Sequence, residues 1–137
     1  VGDAQELWRR QVCNHRITSV DDHLQNIGFL YMGDNQWQLS PAFDINPMPD
    51  KDRESKTWLS EDTGPITSMS QLLGQASQFA LPREQALAIV RELVEAVLQW
   101  RAAGQSADVG MTTQELNEFA PAFEHSSLVE AKKLAGL

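Results

Sequence analysis

A single cysteine, a single tyrosine, few basic residues and no long apolar run set the first limits on this chain. Cys13 alone cannot close an internal disulfide and has no second thiol for a metal pair, which fits a reducing, cytoplasmic compartment. Within a helical pattern it reads as a packing residue rather than a nucleophile. Lys plus Arg total 11 against 19 Asp plus Glu, for a net charge of -8. No cationic face is therefore offered to nucleic acid or to an anionic membrane. No stretch approaches the roughly 18 apolar residues of a membrane-spanning helix, and no signal-peptide pattern opens the chain. What is present is 137 residues, enough for one domain, 1–137, with a core of its own.

Apolar residues recur at helical intervals from Asp3 to Ile17, through Leu7, Trp8 and Val12. After a polar loop, Ile27 to Met32 reads as a strand, Gly33-Asp34-Asn35 as a turn, and "QWQLS" as a return strand, so a hairpin is expected. Three prolines in "PAFDINPMPD" exclude helix interior and central strand. Asp50 to Gly64 is charged and aperiodic apart from Trp58 and Leu59, and reads as a mobile loop. Helices follow: Ser68 to Phe79; a long amphipathic one between Pro82 and Gly104 carrying Ala86, Ile89, Val90, Leu93, Val94, Val97 and Trp100; one capped by Thr112 and Glu115; and, after a kink or break at Pro121, one from about Ala122 to Leu134. The expected fold is mainly α, with one small β-hairpin near the front.

The stretch "SVDDHLQNIGFLY" places two acids, a histidine and an asparagine at the mouth of that hairpin. Asp21 and Asn26 are five apart, Asp44 lies just beyond the return strand, and a hairpin brings all three to one end. A carboxylate beside a hydroxyl can accept its proton, while a second carboxylate and an amide oxygen are hard ligands for Mg²⁺ that leave room for phosphates. Protein kinases use this layout, with Asp-x-x-x-x-Asn in the catalytic loop and a metal-binding Asp after a short β segment. The His-Arg that usually precedes the catalytic Asp and the Gly that follows the second Asp are absent here.

Two linked motifs sharpen the comparison. The run "NHRITSVDDHLQNIGFLY", followed by "WQLSPAFDINPMP", resembles the C-terminal lobe of the HipA-type serine/threonine kinases, the toxin half of bacterial toxin and antitoxin pairs. In that family D-D-H-x-x-N-x-x-F-L precedes a hairpin and then W-x-L-S-P-A-[FY]-D. The resemblance implies a kinase C-lobe-like helical domain in which Asp21 is the catalytic base and Asn26 and Asp44 are Mg²⁺ ligands, with ATP as co-substrate. Asp22 and His23 take supporting roles, orienting the loop or capping a turn. It further implies a protein substrate, a DNA-binding antitoxin as partner, and an ATP-covering N-terminal lobe that this chain does not contain. The expectation is an isolated catalytic lobe, inactive by itself.

Other readings stand beside this one. Without the second motif, Asp21, Asp22 and Asn26 would be turn and cap residues. A non-catalytic, kinase-derived interaction module would retain the fold without metal affinity. A hydrolytic metal site would have to be built from Asp21, Asp22, His23 and Asp44 with one histidine. Trp8, Trp37 and Trp100 read as core or hairpin packing, Trp58 as a contact for another lobe or partner. Glu124 and His125 read as surface residues without a chemical role.

Overall fold

The computed structural model describes residues 2–49 and 55–137, and within them the chain is a helical assembly carrying one hairpin. Helix α1 (Gly2–Arg16) opens with Asp3 in its first turn and ends on His15 and Arg16, charges that suit the helix dipole. Strands β1 (Phe29–Gly33) and β2 (Gln36–Leu39) pair antiparallel, Phe29 opposite Leu39 and Tyr31 opposite Trp37. Gly33, Asp34 and Asn35 all have positive φ, the left-handed conformations a tight hairpin turn demands.

Beyond the proline-rich segment come α2 (Met69–Gly74), a 3-10 turn at Ala76–Phe79, α3 (Arg83–Leu98), α4 (Trp100–Gln105), α5 (Thr113–Phe123) and α6 (Ser126–Ala135). Ser68 caps α2 by accepting from the Gln71 amide, and Thr112 with Glu115 forms a full capping box on α5.

The core is the face α1 shares with α2, α3 and α6. Trp8, Val12, Met69, Leu72, Val90, Val94 and Ala131 are fully buried there. Trp8 also places its only polar atom, donating from Nε1 to the Leu72 carbonyl at 3.0 Å. On the outside of α1, Arg9 pairs with Glu92 of α3.

Four expectations are corrected. The long helix breaks at Gln99, because Trp100 turns to stack on Phe123 at 4.4 Å and Arg101 pairs with Glu124. Gly104 consequently lies inside α4, where an added Cβ would stand 2.8 Å from Leu116 Cδ2. Pro121 does not end its helix; it sits within the last turn of α5, and the break falls at Glu124 and His125. There His125 turns inward and its Nε2 meets the Arg16 carbonyl at 3.0 Å, so it is buried rather than a surface residue. Finally, the expected mobile loop from Asp50 to Gly64 falls partly outside the described residues, at 50–54. Its remainder is anchored: Ser55 and Thr57 are buried, and Trp58 bridges to Pro65.

Candidate active site

The site is built where α1 ends. The Ile17 and Ser19 amides close the last turn onto Cys13 and Asn14 carbonyls, and Thr18 follows with a φ of 57°, held there by a bond from its Oγ1 to the Ala122 carbonyl. A β-branched residue in that conformation costs on the order of 1–3 kcal/mol, and persists only where the surroundings enforce it. The proline-rich segment docks against this strained corner: Met48 N donates to the Thr18 carbonyl, and Asn46 N to Ser19 Oγ at 3.1 Å. That docking carries Asp44 back to the loop holding Asp21 and Asn26.

Local bonds then aim the side chains. Asn26 lies in a 3-10 turn (Leu24–Asn26) and donates from Nδ2 to the Asp21 carbonyl at 2.7 Å, which leaves its Oδ1 as the acceptor end. Asp44 has a φ of 54°, tolerable for an aspartate, and its Oδ1 accepts from Asn46 Nδ2 at 2.7 Å. Gly28 lets the two strands of chain converge: Ser40 N donates to the Gly28 carbonyl at 2.8 Å, and Phe43, the neighbour of Asp44, packs over it.

Asp22, Asn26 and Asp44 line one narrow, partly open cleft against Gln11 and Asn14 of α1, with a volume of about 20 Å³. That is room for about one water or one dehydrated ion, so a nucleotide would have to lie outside it. Gln11 Oε1 and Asn14 Oδ1 are enclosed and unpartnered. The donors are all hard oxygens of the kind Mg²⁺ takes, and two protein ligands with the balance from phosphate and water is its ordinary habit. Among the described residues no cluster of three or more His, Cys, Asp or Glu side chains could hold a metal ion.

Asp21 faces a neighbouring hollow of about 160 Å³ lined by Val20, Met48 and Lys56. Its Oδ1 accepts from Lys56 Nζ, and His23 Nε2 stands 3.9 Å from the same oxygen. Asp21 thus lines this second hollow and does not line the cleft beside Asn26 and Asp44.

Asp22, at the wall of the cleft, is buried, and both of its carboxylate oxygens accept bonds from residues 55 and 56. Its Oδ2 accepts from Ser55 Oγ at 2.6 Å, its Oδ1 from Lys56 N at 2.8 Å, and its carbonyl from Thr57 Oγ1. It staples residues 55–57 to the loop. Behind the loop Arg16 is fully buried, its guanidinium without a hydrogen-bond partner, and burial lowers its pKa to about 10. The C-terminal end of α1 favours a cation there. Burial likewise raises the Cys13 thiol, consistent with a packing role.

Sequence reasoning missed Asn46, Ser55, Lys56, Thr57 and Gly28. The Asp44-x-Asn46 spacing is a local signal that could have found Asn46. Nothing in the charged run around Lys56 distinguishes it.

A family model for the HipA-like C-terminal domain matches residues 1–101 of this chain. No curated protein matches it, and no solved structure does.

Proposed function

The chain belongs to the HipA-like C-terminal domain family, and from that premise we propose that it is the catalytic lobe of an ATP-dependent serine/threonine protein kinase acting in a toxin–antitoxin pair. The observation that carries the proposal is the meeting of Asn26 and Asp44 at one cleft with Asp21 on the same loop.

Asp21 accepts the proton of the substrate hydroxyl as its oxygen bonds to the γ-phosphorus and the bond to the β-phosphate oxygen breaks, releasing ADP. Asn26 and Asp44 would hold Mg²⁺, which supplies charge neutralisation at the phosphates when bound. The left-handed backbone at Asp44 and its bond from Asn46 fix the carboxylate before any ligand arrives, so little reorganisation remains for the reaction. His23, 3.9 Å from Asp21, orients the base.

The hairpin favours a protein neighbour as well. Phe29, Leu30, Tyr31, Met32 and Trp37 are all more than half exposed, an apolar surface of the kind that other protein covers. In this family reading the cover is the ATP-covering lobe, with an antitoxin the further partner. An interaction module without catalysis would use the same surface.

Mg²⁺-dependent nucleotide binding by the full-length protein separates the two. The kinase reading predicts Mg²⁺-enhanced ATP affinity that is lost in Asp44→Asn; an equal affinity with and without Mg²⁺ in wild type and variant would contradict it.

A further inference from the structure

We propose that Lys56 is a phosphate-contacting residue of this site: its ammonium, bonded to Asp21, stands where the γ-phosphoryl meets the substrate hydroxyl and binds the oxygens of the group being transferred. The inference rests on the kinase reading above. Lys56 lies outside both sequence motifs of the site.

Three observations carry it. The first is anchoring. An exposed lysine-carboxylate pair ordinarily contributes little and has no fixed geometry. Here the lysine's backbone is held by the residue adjacent to its partner: Asp22 accepts from Lys56 N at 2.8 Å and from Ser55 Oγ at 2.6 Å, and Thr57 Oγ1 donates to the Asp22 carbonyl. Ser55 Oγ also accepts from Thr57 N at 3.1 Å, closing the turn beneath Lys56. Two consecutive aspartates therefore divide the work, Asp22 gripping the backbone and Asp21 receiving the side chain.

The second is charge. Three carboxylates and a polyphosphate would share this corner, and transfer needs a cation near the oxygens that carry the developing charge. Among the described residues, Lys56 is the cation whose charged atom touches the proposed catalytic carboxylate. Arg10 lines the cleft, but its guanidinium is committed to Glu6 and to the Ser40 carbonyl at 2.7 Å. Arg16 is buried behind the loop, and Lys132 and Lys133 lie on α6.

The third is freedom of the right part. The Lys56 side chain is 58% exposed while its backbone is tied down. A four-carbon stem can carry the ammonium from Asp21 to a phosphate oxygen without disturbing residues 55–57. The ammonium keeps its three protons throughout and acts only as a donor.

The test compares wild type, Lys56→Met and Lys56→Arg in the full-length protein, measuring affinity for Mg²⁺ with a non-hydrolysable ATP analogue, affinity for Mg²⁺ with ADP, and turnover. Lys56→Met should lose about tenfold of the preference for the triphosphate, the worth of one charge-assisted hydrogen bond. ADP affinity should hold, and turnover should fall about 100-fold, as when a single preorganised donor is removed. Lys56→Arg should recover most of both. Unchanged triphosphate preference and turnover in Lys56→Met, with nucleotide still bound, would overturn the proposal and leave the kinase reading standing. Failure of the wild type to bind either nucleotide would overturn both.

Discussion

Replacing Asp22 tests whether the site's geometry is held as described, independently of any chemistry. Its carboxylate is buried and accepts from Ser55 Oγ at 2.6 Å and Lys56 N at 2.8 Å. In Asp22→Ala both bonds disappear. Hydrogen bonds to a charged acceptor are worth about 1.5–3 kcal/mol each, giving an upper figure near 6 kcal/mol. Two effects reduce it: Lys56 is exposed, so its amide can turn to water, and Ser55 Oγ retains the Thr57 carbonyl at 3.1 Å. The expected loss is about 3 kcal/mol, with a fall in Tm of about 10 °C for a chain of this size. Urea unfolding should show the midpoint shifted at constant slope, and hydrogen exchange should accelerate at the Lys56 amide. Asp22→Asn should cost less, because its carbonyl oxygen can keep one donor. A loss below about 0.5 kcal/mol with unchanged exchange at Lys56 would refute the staple.

Two further perturbations follow from the packing and charge. Gly28→Ala would set a Cβ 2.9 Å from Ser40 Oγ and 3.2 Å from Phe43 Cε1, and should cost about 1–3 kcal/mol by overpacking; Gly74→Ala, which meets nothing within 4 Å, is the control and should not destabilise. In Glu130, burial pushes the carboxyl up, but bonds from Ser70 Oγ, Ser70 N and Met69 N outweigh it and hold its pKa below the usual carboxylate value. A depressed folded pKa gives stability that is present above the unfolded pKa of about 4.3 and lost as pH falls through the folded value. Glu130→Gln should therefore be about 1 kcal/mol less stable at pH 7, as for a lost helix cap, with the difference shrinking as pH falls below the unfolded value and through the depressed folded one. A difference that persists or grows on acidification would contradict the assignment.

Where neighbours along the chain decide the structure, it was legible. The periodic α1, the Gly33-Asp34-Asn35 turn and the Thr112–Glu115 box are all local, and all are present. Distant partners decide the rest. Asp22 finds its acceptor work 33 and 34 residues away, in a stretch whose composition reads as solvated loop. His125 is drawn inward by a carbonyl 109 residues back. Gln99 ends α3 because Trp100 and Arg101 find Phe123 and Glu124 across space, a preference no periodicity reveals. Pro121 lies in the last turn of α5, so the one i→i−4 hydrogen bond it removes is at the end of the helix and the helix runs on to Phe123. At the site, spacing placed Asp21, Asn26 and Asp44 together; Asn26 and Asp44 do share one cleft, while Asp21 lines the neighbouring hollow. The turning of Asp21 toward Lys56 depends on Asp22, whose partners lie beyond the reach of local pattern.

The most direct test of the account is phosphate transfer from γ-labelled ATP and Mg²⁺ by the full-length protein beside its Asp21→Asn variant. Label should appear on protein with the wild type, and fall by a factor of about 10²–10⁴, as expected when a general base is removed, in a variant that unfolds at the same temperature. Equal labelling by both would contradict the role of Asp21, and no labelling by either folded protein would contradict the kinase reading itself.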